Sequence, residues 1–211
     1  MKIFKKFSHE AIKIISKGGI GVIPTDTIYG IVCSALSKRA VERVYQLRKR
    51  NPTKPVIVLI SSKSEVQMFG VNLDPQTSNI LNKLWPGSVS VILEIGDKQQ
   101  ATSDKFKYLY RGKKAIAFRL PKKAVLRRFL KKTGPLIAPS ANFEGKPPAK
   151  TIKEAQKYFG DKADFYVDAG KLKSKPSTLV SIKNGKVRVI RAGTAKIRIA
   201  SYFLIRANKK V

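Results

Sequence analysis

Five aliphatic residues in a row, Val56-Ile-Val-Leu-Ile60, leave no polar position among them. A strand that alternates apolar and polar residues can lie on a sheet with one wet face. A strand apolar at every position has both faces covered, so its sheet carries a packed layer on each side. Other short apolar runs repeat the theme: Ile20-Gly-Val-Ile23, stopped by Pro24; Val89 to Ile95; Ala115-Ile-Ala-Phe-Arg119, just before Pro121; and Gly134-Pro-Leu-Ile-Ala-Pro-Ser-Ala-Asn142. The last ends in a proline followed by Ser140 and Asn142, two small polar residues placed where a buried strand runs out. Strand ends of that kind are where α/β folds hold their binding groups.

Helical stretches lie between these runs. Ser8 caps a helix to about Lys17, ended by Gly18-Gly19, and Ser37 caps another through Val41, Val44, Tyr45 and Leu47, ending in Arg48-Lys-Arg50. Ser62-Lys-Ser-Glu65 and Thr151-Ile-Lys-Glu154 read as capping boxes, and Asp74-Pro75 starts a helix to about Leu84. A basic helix follows Pro121, to about Lys132. Phe165 to Val167 and Thr178 to Ile182 read as short strands, and Lys183-Asn-Gly-Lys186 as a two-residue hairpin returning through Val187 to Ile190 and ending on Arg191. Thr25 to Gly30 reads as a polar loop, residues 97–114 as a long polar excursion, and the residues past about Ala195 as a terminal helix. The sum predicts an α/β (α+β) fold: one domain over 1–211, with its core at about 8–195, built on a twisted mixed sheet flanked by helices.

Composition narrows the functional classes. The chain has 211 residues, 43% of them apolar, enough for a sizeable core. No run approaches the roughly 18 apolar residues of a spanning helix, so no membrane partner is expected. Met1-Lys-Ile-Phe-Lys-Lys-Phe7 is basic without the apolar core of a secretory signal, and Cys33 is the one cysteine, so the expected compartment is the reducing cytoplasm. Cys33 lies in an apolar stretch and reads as a packing thiol. The net charge is +31, from 44 Lys and Arg against 13 Asp and Glu. Such a field attracts phosphate-bearing partners. Because lysine is scattered through almost every segment, the charge is equally that of a solvated surface.

The polar residues at element ends are of one kind: Thr25 with Thr27, Arg48 with Arg50, Arg119, Ser140 with Asn142, Ser177 with Thr178, and Arg191. They are hydroxyls, an amide and guanidiniums. No carboxylate pair, histidine pair or cysteine cluster occurs among them, and His9, the one histidine, sits in the first turn of the first helix as a surface residue. Acid–base catalysis by histidine and a metal held by several protein ligands are therefore not expected, so the metal-ligand set is empty. What remains can bind, orient and neutralise, which suits transfer to or from a nucleotide phosphate.

Lys17-Gly-Gly-Ile-Gly-Val-Ile-Pro-Thr-Asp-Thr-Ile-Tyr-Gly30, Val44-Tyr-Gln-Leu-Arg-Lys-Arg50, Leu84-Trp-Pro-Gly87, Ile116-Ala-Phe-Arg119, Ala138-Pro-Ser-Ala-Asn142, Ser177-Thr178 and Val189-Ile-Arg-Ala-Gly193 occur in one order. In that order they closely resemble the YrdC/TsaC family of threonylcarbamoyl-AMP synthases, over about residues 8–195. The resemblance implies a YrdC-like sheet with a basic concave cavity. It implies synthesis of L-threonylcarbamoyl-adenylate and pyrophosphate from L-threonine, bicarbonate or CO2, and ATP. The product would serve N6-threonylcarbamoylation of adenosine 37 in tRNAs reading ANN codons, through a downstream threonylcarbamoyl transferase complex. It further implies a hallmark tetrad at Arg48, Arg50, Ser140 and Asn142. Thr25, Arg119 and Ser177 would take threonine; the tetrad with Arg191 would take ATP, and Mg²⁺ would travel with the triphosphate.

The chain departs from the family pattern in three places. The hallmark lysine is Arg48 here, so either Arg48 or neighbouring Lys49 supplies that cation. Pro147-Pro-Ala-Lys-Thr151 stands where many members have Ser-Pro-Thr, and Arg191-Ala-Gly193 where many have Arg-Pro-Gly. The resemblance is to the short bacterial form, so the extra C-terminal domain of longer relatives is not expected. The sequence also admits two alternatives: a non-catalytic module of the same fold that clamps double-stranded RNA or tRNA, and another carbamoyl transfer on the same scaffold.

Overall fold

The computed structural model describes residues 1–96 and 104–197, and the backbone of 205–206. Among them eleven strands form one mixed sheet, in the order β1-β8-β2-β3-β7-β4-β6-β5-β9-β10-β11. The strands are β1 (Lys2–Phe4), β2 (Gly21–Pro24), β3 (Tyr29–Ser34), β4 (Ile57–Leu59), β5 (Val89–Glu94), β6 (Ala115–Arg119), β7 (Leu136–Ile137), β8 (Phe165–Val167), β9 (Thr178–Lys183), β10 (Lys186–Arg191) and β11 (Ile205–Arg206). Pairing is parallel at β1–β8, β8–β2, β4–β6, β5–β9 and β10–β11, and antiparallel at the other junctions.

The double cover expected from Val56–Ile60 is present. Val22, Ile31, Cys33, Val58 and Ile60 point to one core; Ile23, Val32 and Leu59, their neighbours in sequence, point to another. Helices α1 (His9–Ser16) and α5 (Ala124–Thr133) close the second core with Ala11, Ile15, Leu126, Phe129 and Leu130. Helices α2 (Lys38–Leu47), α3 (Pro75–Leu84), α4 (Lys107–Tyr110) and α6 (Ile152–Phe159) bury residues in the first. Cys33 is buried there, and burial pushes its thiol pKa far up, as befits a packing residue.

The helix starts follow their caps. The hydroxyls of Ser8 and Ser37 and the carboxylate of Asp74 accept the N–H groups of Ala11, Ala40 and Thr77 at 3.1, 3.3 and 2.9 Å. Thr151 Oγ1 accepts from Glu154 N at 3.2 Å, while the Glu154 carboxylate turns back to the N–H of Lys150. The hairpin between β9 and β10 turns on Asn184 (φ 50°) and Gly185 (φ 67°), both left-handed, as its Asn-Gly pair requires.

Several expectations are corrected. Ser62 does not cap an α-helix: Lys63–Phe69 is a 3-10 helix, and Glu65 reaches back to the N–H and hydroxyl of Ser61. Three-residue periodicity puts Val66 and Phe69 on one buried side, which fits the 3-10 turn. Residues 104–114 are not a loose excursion, since α4 buries Tyr108, Leu109 and Tyr110, and Tyr108 donates to Ala35 O at 2.9 Å. Residues 97–103 of that stretch lie outside the described residues. Past Ala195, residues 205–206 pair with β10 as a strand rather than continuing a helix, and 198–204 and 207–211 lie outside the described residues. Strands β1 and β3 were not expected from the sequence.

Candidate functional site

The parity of the central strands makes the floor of a cavity. On β6, Ile116 and Phe118 enter the first core while Ala115, Ala117 and Arg119 face the other way; Ile92 of β5 and Leu179 of β9 share that second face. With two alanines on β6, the face is concave. The cavity above it measures about 520 Å³ and is also lined by Thr25, Thr27 and Ile28 to Gly30 of the β2–β3 turn, and by Arg48, Arg50, Lys113, Ser140, Ser177 and Arg191. That size is ordinary for a small-molecule site. Arg191 reaches it through a bulge. Val189 pairs with core-facing Val180, but the register then shifts so that Arg191 pairs with cavity-facing Leu179. The extra residue, Ile190, turns the arginine to the other face.

The β2–β3 turn builds one wall. Thr25 Oγ1 donates to Ile28 O at 2.7 Å and lies 3.0 Å from Thr27 Oγ1. Arg119 Nη1 donates to Thr27 Oγ1 at 3.1 Å, and Arg119 Nη2 lies 3.1 Å from Asp26 Oδ1. Arg119 is 4% exposed. Burial lowers its pKa; Asp26 opposes the shift and Arg191 adds to it. Asp26 is held in turn by the N–H of Lys122, which donates to Oδ2 at 3.2 Å.

The C-terminus of α2 builds the opposite wall. Lys49 has φ 49°, and the N–H groups of Lys49 and Arg50 return to Gln46 O and Tyr45 O at 3.0 and 2.9 Å. This is a Schellman ending with lysine at the left-handed position. Its effect is to turn Lys49 outward, its ammonium 5.0 Å from the Phe143 ring centroid, while Arg48 and Arg50 both line the cavity. Of the two, Arg48 lines the cavity and Lys49 does not. Arg48 Nε donates to Ser140 O and Asn142 O at 2.9 and 3.1 Å, and Nη2 to Ser140 Oγ at 3.2 Å and Asn142 Oδ1 at 3.5 Å. Burial pushes the Arg48 pKa down to about 10, with Arg50 adding repulsion and Glu144 and Tyr45 opposing. Arg50 Nη2 donates to Pro55 O at 2.7 Å.

Ser177 precedes β9, its Oγ 2.9 Å from that of buried Ser90, and its carbonyl accepts from Arg191 Nη2 at 3.0 Å. Gly193 is required beside it: a Cβ there would lie 2.2 Å from Pro176 O and 2.4 Å from Ser177 C.

Thr25, Arg48, Arg50, Arg119, Ser140, Ser177 and Arg191 thus share one cavity. Asn142 is buried beside it without lining it, and its Nδ2 donates to Phe143 O and Lys146 O at 2.6 and 2.7 Å, holding the loop. Residues the sequence reading passed over are Asp26, Ser90 and Lys113. A carboxylate between two threonines, in a chain poor in acid, was a usable sign for Asp26; nothing in the sequence singles out the other two. Among the described residues the cavity lining holds cations and hydroxyls without a carboxylate. Arg48 Nη1, Arg50 Nε and Arg119 Nε are buried without a hydrogen-bond partner, as are Arg111 Nε and Nη2 outside the lining; guanidiniums gathered at a cavity suit phosphate or carboxylate oxygens. Among the described residues no group of three or more His, Cys, Asp or Glu forms a metal site, and no helix is long and apolar enough to cross a membrane.

Comparison with known proteins fits this geometry. The model of the Sua5/YciO/YrdC family, described under telomere recombination, matches residues 13–193. A Methanocaldococcus jannaschii protein provisionally named a threonylcarbamoyl-AMP synthase is 33% identical over 187 residues, covering 88% of this chain and 85% of that one. The threonylcarbamoyl-AMP synthase of Marinobacter nauticus is 32% identical over 183 residues, covering 83% and 91%. Among solved structures, E. coli YciO superposes with a TM-score of 0.77 at 22% identity, over 93% of this chain and 98% of that one. Pyrococcus abyssi Sua5, solved in complex with L-threonine, gives a TM-score of 0.78 at 22% identity, over 91% and 57%.

Proposed function

The chain belongs to the Sua5/YciO/YrdC family, and from that premise we propose that it is a threonylcarbamoyl-AMP synthase, a nucleotidyltransferase using L-threonine, bicarbonate or CO2, and ATP. The observation that carries this reading is the convergence of four arginines and several hydroxyls on one cavity whose described lining has no carboxylate. Such a lining suits a substrate pair with a triphosphate at one end and an amino-acid carboxylate at the other.

In this reading Arg119, held by Asp26 and Thr27, takes the threonine carboxylate, and Thr25 and Ser177 take its polar groups. A site that hydrogen-bonds the threonine hydroxyl rejects analogues lacking it far more strongly than an apolar pocket does. The threonine nitrogen attacks CO2, forming the C–N bond of a carbamate and losing a proton. A carbamate oxygen then attacks the α-phosphorus, and the bond from that phosphorus to the bridging oxygen breaks with pyrophosphate leaving. Arg48, Arg50, Ser140 and Arg191 neutralise the phosphates, while Asn142 fixes the loop that carries Ser140. With no histidine in the lining, positioning and charge neutralisation supply the acceleration. Mg²⁺ belongs to the substrate as MgATP, since the cavity offers cations and hydroxyls rather than a carboxylate cage. The adenylate would pass to a threonylcarbamoyl transferase complex acting on adenosine 37 of tRNA, in the cytoplasm.

The test is pyrophosphate release from ATP. It is expected only with threonine and bicarbonate both present, and Arg50→Ala should abolish it. Release independent of threonine, or none with all substrates, overturns the reading. The +31 charge favours the RNA-binding module as the second reading; steeply salt-dependent RNA binding without turnover would establish it.

A further inference from the structure

Each arginine of the cavity is tied to protein: Arg48 to Ser140 and Asn142, Arg50 to Pro55 O, Arg119 to Thr27 and Asp26, and Arg191 to Ser177 O. Lys113 lines the same cavity and differs from all four. It is exposed, and its ammonium has no hydrogen-bond or ion-pair partner among the described residues.

The backbone that presents it is unusual. Arg111 (φ 52°) and Lys114 (φ 48°) are two of the four non-glycine residues with positive φ among the described residues, and Gly112 (φ 79°) lies between them. Backbone held in this region persists only where its surroundings over-determine it, and it concentrates at binding sites. Here the surroundings are specific. The Arg111 guanidinium lies 4.1 Å from the Tyr45 ring centroid, and its Nη2 lies 2.9 Å from Glu42 Oε1. The N–H of Lys113 donates to Tyr110 O at 3.0 Å, and Lys114 O accepts from the N–H of Ile95 at 2.9 Å. The Arg50 guanidinium lies 5.8 Å from the same Tyr45 ring, and Tyr45 Oη donates to Lys54 O at 2.7 Å. One tyrosine thus anchors both the segment that carries Lys113 and the segment that follows Arg50.

We propose that Lys113 is a nucleotide-binding residue, its ammonium taking a phosphate oxygen of the ATP polyphosphate at the cavity mouth, and that Arg111 positions it. The proposal rests on the synthase reading for its substrate. A lysine ammonium is a compact charge on a flexible stem, suited to following a triphosphate that loses pyrophosphate. The four arginines are fixed; among the described residues of the lining this cation alone is free to close on the anion and let it go.

The experiment is steady-state pyrophosphate release by wild type, Lys113→Met, Lys113→Arg, Arg111→Ala and the Arg111→Ala/Lys113→Met double variant, each confirmed folded by thermal unfolding. Lys113→Met should raise the KM for ATP about tenfold, as loss of one charge-assisted hydrogen bond implies, with the KM for threonine within about twofold of wild type. Lys113→Arg should recover most of the loss. The double variant should match Lys113→Met, because a positioning residue has nothing left to position. A KM for ATP within about twofold of wild type in Lys113→Met overturns the proposal; effects that multiply in the double variant overturn the role of Arg111. If wild type releases no pyrophosphate, the synthase reading fails, and calorimetric titration with MgATP then decides Lys113 on its own. A roughly tenfold weaker Kd in Lys113→Met sustains the proposal, whereas equal affinities, or no binding to either protein, overturn it.

Discussion

Arg48 spends its guanidinium on protein more than on open cavity. Three of its four contacts are to the backbone carbonyls of Ser140 and Asn142 and to Ser140 Oγ, so the same residue that adds charge to the site also sets the shape of the loop opposite. A lysine there keeps the charge and loses the planar fork. Arg48→Lys should leave a buried carbonyl unpaired, at about 1–3 kcal/mol, and lower both the unfolding temperature and the rate of pyrophosphate release. Thermal melts with the release assay check this; a variant with wild-type melting would show that one ammonium serves both carbonyls. At this scale the sequence was informative about residue type and less about residue duty. Thr25, Arg119, Ser177 and Arg191 were recognisable as polar residues at strand ends. That Asn142 turns its amide into its own loop, donating to Phe143 O and Lys146 O, depends on a chain reversal that no spacing encodes.

Elements were legible where a local cap or turn specifies them. The starts of α1, α2 and α3 and the β9–β10 hairpin all follow from residues within four positions of one another. The N-cap of α3 gives a test with a definite sign. Hydrogen bonds from Thr77 hold the Asp74 carboxyl below the 3.8 of a free aspartate. A depressed folded pKa contributes stability above about pH 4 and loses it as pH falls through the folded value. Asp74→Ala should therefore cost about 1 kcal/mol at neutral pH, and the gap from wild type should close in urea unfolding near pH 2; a gap constant across that range would assign the effect to packing. Elements whose partners are distant were not legible. β1 reads as a basic terminus because its pairing with Phe165–Val167 lies at the far end of the chain. β3 begins on Tyr29-Gly30, which looks like the end of a turn until Pro24–Tyr29 pairing makes it a strand. The bulge that turns Arg191 into the cavity is a relation between two strands, and neither strand alone contains it.

For the whole molecule, net charge acts on stability as well as on ligands. At +31 the folded chain repels itself. Salt raised from about 20 to about 500 mM brings the screening length below about 8 Å. The unfolding temperature should then rise by about 2–4 °C, equivalent to about 1 kcal/mol at this chain length; a flat or falling curve in a salt series would mean the cations are too dispersed to interact. The two-sided cover of the sheet was readable from one aliphatic run, while the place where that cover stops, over β5, β6 and β9, was not. That gap has a further effect. Strand β6 sends Ile116 and Phe118 into the core and Ala117 and Arg119 toward the substrate side, so a backbone shift made to accommodate either set is inherited by the other. Thermal stability and substrate preference are consequently expected to be coupled through β6: a change that repacks the core beneath it should also alter the cavity floor.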